Sequence, residues 1–522
     1  MSLFVGAQLS AVADYLDKGL VESNQSLFQI AEIPRSSLGL TGNGGAITTI
    51  GDYLLVIGRD GEKIVLINPI NGVTYKNPTS IPMNRKAHFE YAKENFSEFG
   101  FNRAVVWFRV LDAEVVYLDG TYQLLVSYHW FNDRWGCKET RIGRYLIDDS
   151  DRFFTRTEVR QESEFEVLFR AKPCLPYREM TVEREQELGY LKDVPARSNE
   201  TGGNLAIQGH TLYFSLGDVG SRLADPPFAQ DPRNDYGKIW SLSLSNPKDR
   251  DVIAMGVRNP QGLDFDHHGN LWESEHGPKG GDEINIITKG SNYGWPWTTK
   301  GVEYGGYSWT QTPSSLPSKM TPPVFTFSPS IAPTELLANP KLLGGQGLLM
   351  LSLAARSIFM IDIGDDNRVT QVERLALPYR LRDVAVFDPD HDFGNDLYLL
   401  SDKPDLVRLR PVDSGTSDLE TLRGDRPQSE FRRVAPTLLM CAKCHSFSSA
   451  PGAVSSLHGV LGKRAGFVGA TDALNSSGIV WDRATLLRYI LSPQDVVPGT
   501  AMPNQDLSTE VAEQIVNYFE TR

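Results

Sequence analysis

"NLAIQGHTLYFSLGD", Asn204 to Asp218, is the stretch whose reading decides the fold. Apolar and polar residues alternate on both sides of Gly209-His210, so two short strands meet at a tight turn. The same unit recurs as "AITTIGDYLLVIGRDG" from Ala46, "EVVYLDGTYQLLVSY" from Glu114 and "GLDFDHHGNLWESEHG" from Gly262. It appears again as "LLMLSLAARSIFMIDI" from Leu348 and "DVAVFDPDHDFGNDLYLL" from Asp383. The Leu348 run lacks turn residues and fits the pattern less well. Six units between Ala46 and Leu400, in a region rich in Gly, Pro, aromatic and β-branched residues, predict radially repeated β-sheets. A sandwich would more often have fewer strands at shorter spacing. The expected fold is mainly β, a six-bladed β-propeller, with little helical periodicity before about residue 425.

The pattern changes towards the end of the chain. "PVDSGTSDLETLRGDRPQSEFRRV", residues 411–434, is polar and nearly free of large apolar side chains, so it reads as a linker. Beyond it, "WDRATLLRYILSP" sets Leu486, Leu487, Tyr489 and Ile490 on neighbouring helical faces. "STEVAEQIVNYFETR" repeats Val511, Ile515, Val516 and Phe519 at helical spacing. The predicted organisation is a propeller over 1–410, a linker over 411–434 and a small all-α domain over 435–522.

A net charge of −13 with no basic run offers nucleic-acid phosphates no footprint. No apolar stretch reaches the roughly 20 residues of a transmembrane helix. The N-terminus "MSLFVGAQLSAVADYLDKGL" lacks a basic leader region and carries early acids, so it does not read as an intact secretory signal.

Four cysteines are present, and two of them sit in "CAKCH", Cys441 to His445. In C-x-x-C-H the two thiols form thioethers with haem vinyl groups, and the adjacent histidine reaches the iron from the same turn. A bare C-x-x-C would be ambiguous between redox and zinc chemistry. A second, soft axial ligand is then needed, and "VVPGTAMPNQ" offers Met502 in a Pro/Gly-rich loop before the last helix. Residues 435–522 resemble a class I c-type cytochrome through "CAKCH", "SLHGVLGKRAG", "SGIVWDRATLLRYILSPQDVVPGTAM" and the terminal helix. The resemblance implies haem c bound through Cys441 and Cys444, with His445 and Met502 on the iron. His458 is expected to pack beside the haem. Attachment of this kind takes place outside the cytoplasm, which implies a periplasmic or otherwise exported protein whose export signal lay upstream. The other cysteines, Cys137 and Cys174, could then form a disulfide or stay as two buried thiols.

The densest chemistry lies in "GVRNPQGLDFDHHGNLWESEHGPKGGDEINIITKGSNYGWP", Gly256 to Pro296. Loop carbonyls with the acids Asp282 and Glu283 could hold a hard cation such as Ca²⁺, or form an ordinary turn. Arg258 could pair with a carboxylated ligand or brace a loop. From about Thr201 to Ser401 the chain resembles quinoprotein sugar dehydrogenases of the soluble glucose and aldose dehydrogenase type. The shared stretches are "GGNLAIQGHTLYFSLGD", "GVRNPQGLDFD", "EHGPKGGDEIN", "SNYGWP" and "YRLRDV". These relatives are six-bladed propellers that use pyrroloquinoline quinone (PQQ) and Ca²⁺. The resemblance implies that Arg258, Asn259, Arg380 and Arg382 hold PQQ, and that the carbonyls of Gly277 and Pro278 hold Ca²⁺.

The chain departs from that pattern twice. Where the family has a catalytic histidine this sequence has Glu200, although the partner aspartate is kept as Asp218. Two adjacent carboxylates would share a proton and titrate as a coupled pair. The family's quinone-directed lysine aligns with Ala354, and Arg356 lies two residues on. Three functions follow. The first is a PQQ- and Ca²⁺-dependent dehydrogenase with Glu200 and Asp218 as its catalytic carboxylates. It would oxidise a sugar or other alcohol and pass electrons through its own haem to a downstream acceptor protein or oxidase. The second is a propeller that has lost PQQ and serves as a docking module for a cytochrome carrier. The third is different carboxylate-assisted chemistry in the same pocket. His276, beside the Gly277-Pro278 loop, is a further candidate.

Overall fold

All six units form hairpins. The structure is a computed structural model that describes residues 11–12, 16–22, 27–34, 38–40, 44–69, 72–77, 79–147, 164–176, 199–221, 226–302, 319–340, 343, 345–387, 391, 395–402, 405–411, 457, 459–466, 471–500, 502 and 507–520. Gly202–Gln208 pairs antiparallel with Thr211–Leu216 across a turn in which Gly209 takes φ +58. A glycine meets that left-handed requirement without a Cβ clash. The Leu348 run, which fits the sequence pattern less well, is also a hairpin, Leu348–Ser352 with Ser357–Ile363. Its turn is held by hydroxyls instead of glycine: Ser352 Oγ accepts from Ala355 N at 3.0 Å and Ser357 Oγ donates to Ala355 O at 2.7 Å. Two helices, Arg85–Asn95 and Glu98–Trp107, interrupt the β region and were not foreseen.

The first strands of the six sheets are Gly45–Ile50, Val110–Leu118, Gly202–Gln208, Pro260–Phe265, Pro333–Ala338 and Leu381–Ala385. Each packs on the next, and the sixth packs on the first, so they ring a central channel. This is a six-bladed propeller. Dry apolar layers separate the blades, such as Leu54, Val65, Tyr398 and Leu400 between the first and sixth. Leu125, Ile142, Leu212 and Phe214 fill the layer between the second and third. Each fully buried side chain of this size contributes about 1.5–3 kcal/mol of transfer free energy.

Carboxylates on the inner strands clasp alternate neighbours. Asp112 Oδ2 accepts from Leu205 N at 2.7 Å, Asp264 Oδ2 from Ala338 N at 2.8 Å and Asp383 Oδ2 from Ile47 N at 2.8 Å. Irregularities in register at Val110/Asp112, Pro260/Gly262 and Leu381/Asp383 free the strand to aim these side chains sideways. In the second blade, Cys137 and Cys174 are joined as a disulfide.

The chain divides into two units, Met1–Asp17 with Ala31–Pro411 and Lys18–Ile30 with Val412–Arg522. The second contains the helices Asp472–Ser476, Arg483–Leu491, Pro493–Val496 and Thr509–Glu520. Their apolar faces meet in a core of Trp481, Leu486, Tyr489, Ile490, Ile515, Val516 and Phe519. Asp482 caps the Arg483 helix by accepting from Thr485 N at 2.7 Å. Among the described residues, no helix is long and apolar enough to cross a membrane.

Candidate active site

Glu200 and Asp218 flank the Asn204 hairpin and are brought together where its two ends close. Val219 N donates to Glu200 O at 2.9 Å and Gly217 N donates to Thr201 O at 2.9 Å. A Cβ on Gly217 would lie 2.3 Å from the Glu200 carbonyl oxygen, so only glycine permits this approach. Both carboxylates are buried, Glu200 at 5% exposure and Asp218 at 0%.

Arg258 organises them. Its Nη2 donates to Glu200 Oε1 at 2.5 Å, and its Nη1 donates to the carbonyls of His276 and Gly277, each at 2.8 Å. Its backbone carbonyl accepts from Asp218 N at 2.7 Å, and its backbone N donates to Glu275 Oε2 at 2.7 Å. Trp295 lies under the guanidinium at 5.2 Å and donates its indole N–H to Asp218 Oδ2 at 2.6 Å. Gly220 N donates to Asp218 Oδ1 at 2.9 Å. Burial first, and then the charge of Glu200, push Asp218 up to about 7 against the opposing pull of Arg258 and Trp295.

Of the other predicted ligands, Asn259 joins this centre, while Arg380 and Arg382 meet at Asp402. Asn259 is buried and its side-chain oxygen accepts from Gly202 N at 3.2 Å. Arg380 and Arg382 point their Nε atoms at the two oxygens of Asp402, at 2.8 and 2.6 Å. Arg380 Nη1 also reaches Leu353 O at 3.4 Å, in the turn that carries the exposed Ala354 and Arg356. His276 ties the halves together: burial, then the positive charges of Arg258, Arg382 and Arg109, push it down to about 3. It is therefore a neutral imidazole. The Gly277-Pro278 loop is braced by Asp282, whose oxygens accept from Gly277 N, Ser330 Oγ, Ile331 N and Ala332 N at 2.7–2.9 Å. That carboxylate thus holds the loop backbone in place.

Three participants escaped the sequence reading of site residues: Trp295, Asp402 and Arg109. Trp295 lies within "SNYGWP", but nothing in that spacing indicates an indole reaching Asp218.

In the C-terminal unit, Cys441, Cys444, His445 and His458 lie outside the described residues. Met502 is described and packs on the rim of the apolar core with Leu457, Leu461, Leu474 and Ile479. Its loop is pinned: Gln494 Nε2 donates to Thr500 O at 2.7 Å, and Tyr489 Oη lies 2.6 Å from Thr500 Oγ1. A partly covered apolar rim with a thioether on a fixed loop suits a haem macrocycle.

A region at this end is 42% identical over 79 residues to cytochrome c2 of Rhodoblastus acidophilus, spanning 14% of this chain and 72% of that protein. The chain belongs here to the cytochrome c family. Residues 153–408 match the Glucose / Sorbosone dehydrogenase family. The aldose sugar dehydrogenase YliI of Escherichia coli is 32% identical over 234 residues, 41% of this chain. The chain spans 60% of that relative's own length. The crystal structure of the soluble aldose sugar dehydrogenase from Escherichia coli in the apo-form shares the fold, with a TM-score of 0.52, 22% identity and coverage of 71% of this chain and 97% of that one. The propeller region is thus similar to glucose/sorbosone dehydrogenases, in a chain that also carries a cytochrome c region. The clustered propeller residues from Glu200 to Asp402 fall within the family match, and Arg109, at the entry to the second blade, lies outside it.

Proposed function

We propose that the chain is an exported, PQQ- and Ca²⁺-dependent oxidoreductase that oxidises a sugar or other alcohol and delivers the electrons to its own haem c. The observation that carries this reading is the buried Arg258 guanidinium, which joins Glu200 to the carbonyls of His276 and Gly277 beside Asp218 and Trp295. The forked guanidiniums of Arg258 and Arg382 suit an anion with several carboxylates such as PQQ. Arg258, Asn259, Arg380 and Arg382 would hold it. The Gly277 oxygen already accepts from Arg258, so a Ca²⁺ on the Gly277 and Pro278 carbonyls would need the carboxylates of that same cofactor to balance its charge. PQQ with Ca²⁺ supplies a two-electron acceptor when bound, and haem c supplies a one-electron carrier.

The chain's own residues do the rest. Glu200 accepts the substrate hydroxyl proton, while Arg258 fixes the orientation of its carboxylate. Asp218 keeps the pair sharing charge and proton near neutrality, because its pKa is about 7. Deprotonation of Asp218 readies the coupled pair to take up a proton, so turnover should rise as pH climbs through about 7. Trp295→Phe removes a donor to charged Asp218 and should move that limb to higher pH; an unmoved limb in pH–rate profiles would detach Asp218 from the reaction.

Met502→Ala should keep the haem covalently attached but lower its reduction potential by about 0.1–0.2 V, since a thioether favours ferrous iron. Potentiometric titration reads this directly, and an unchanged potential would remove Met502 from the iron.

A second reading, a docking propeller without PQQ, draws support from the closed Arg258–Glu200 pair and from Ala354 at the family's lysine position. Equilibrium titration of the full chain with PQQ and Ca²⁺ separates the two. Micromolar or tighter binding supports the dehydrogenase, and none at that level supports the docking module.

A further inference from the structure

The central channel carries a group that the proposed oxidation does not use. Asp112, Glu335 and Asp383 come from the inner strands of the second, fifth and sixth blades. Each is at least nine-tenths buried, and one carboxylate oxygen from each lies within 4.8 Å of the others. They line a cavity of about 30 Å³, enough for a water-sized occupant.

A second observation comes from the third blade. Asn204 is 6% exposed and lines the same cavity. Its Nδ2 donates to Glu335 Oε2 at 2.5 Å, which fixes the orientation of the amide, since the reverse would set oxygen against carboxylate. The amide oxygen that remains is buried and accepts no hydrogen bond. A buried acceptor of this kind calls for a cation or a donor in the cavity.

We propose that Asp112, Glu335 and Asp383, together with the Asn204 amide oxygen, hold one hard divalent cation of the Ca²⁺ class in the propeller's central channel. Oxygens on opposite sides of a Ca²⁺ ion stand about 4.6–5.2 Å apart, and those around Mg²⁺ about 4.0–4.2 Å, so the spacing admits either ion and an all-oxygen donor set selects this class. Arg109 and Arg382 line the cavity too, but Arg382 is bound to Asp402, and among the described residues neither forms an ion pair with the three carboxylates. Burial raises all three pKa values, and Asp112 repels both of the others, a repulsion that a cation relieves. The ion would tie together four of the six blades and so act as a structural bond across the channel. It is separate from the Gly277-Pro278 carbonyls, neither of which lines this cavity.

The test uses the full chain, stripped with chelator and free of PQQ, titrated with Ca²⁺ by calorimetry and melted with and without the ion. The wild type should bind Ca²⁺ and melt at higher temperature with it. Glu335→Gln removes a charged ligand and should weaken that binding on the order of tenfold or more, whereas Asn204→Asp adds one and should strengthen it. Circular dichroism confirms that each variant is folded. Should Glu335→Gln fail to fold, Asn204→Asp alone decides. No Ca²⁺ uptake by the wild type, or equal affinity in wild type and folded variants, would overturn the proposal.

Discussion

Arg258→Leu is expected to remove PQQ binding and to destabilise the propeller by about 3–5 kcal/mol, the usual consequence of stranding one partner of a buried ion pair. The guanidinium is 2% exposed and serves Glu200, His276 and Gly277 at once. Its loss leaves Glu200 charged in a dry site and two carbonyls without their donor. Denaturant unfolding measures the stability, and PQQ titration measures the site. Arg258→Lys keeps the charge but cannot reproduce the fork, so it should recover part of the stability and little of the binding. Wild-type affinity for PQQ in Arg258→Leu would show that this arginine only braces the loop.

The second large effect is on turnover. Glu200→Gln keeps the side chain's shape and can still accept from Arg258 through its amide oxygen, so folding and PQQ affinity should change little. Loss of the base should lower kcat on the order of 10²–10⁴-fold while the haem spectrum stays as in the wild type. Persistent turnover would assign proton transfer to another group, with Asp218 and His276 as the nearest alternatives.

Much of this architecture is legible in the sequence because alternation is local. The Asn204, Glu114 and Asp383 runs each show two strands and a turn within about 20 residues, and all become hairpins. The Leu348 hairpin was harder to read because hydroxyls of Ser352 and Ser357 replace turn glycines, a device that leaves no mark in the alternation. The helices Arg85–Asn95 and Glu98–Trp107 lack a clear apolar stripe for the same reason that hides them: they pack as short insertions on a sheet. The Glu200–Asp218 pair was readable through the resemblance to sugar dehydrogenases, and one hairpin brings its two ends together. Trp295 meets Asp218 at the third blade across 77 residues, and Asp402 meets Arg382 across 20 where a hairpin of the sixth blade closes, contacts that leave no mark in the local alternation. The channel carboxylates show the limit most plainly. Asp112, Glu335 and Asp383 each read as a lone acid near a strand start, and their proximity exists only once the sixth blade returns to the first.

The most direct test of the account is haem absorption in the full chain, without oxygen, after PQQ, Ca²⁺ and then an aldose panel are added. The account predicts that an aldose or another alcohol reduces the haem only when PQQ is present, and that Glu200→Gln abolishes this reduction. A PQQ-loaded chain whose attached haem stays oxidised with every substrate would contradict it.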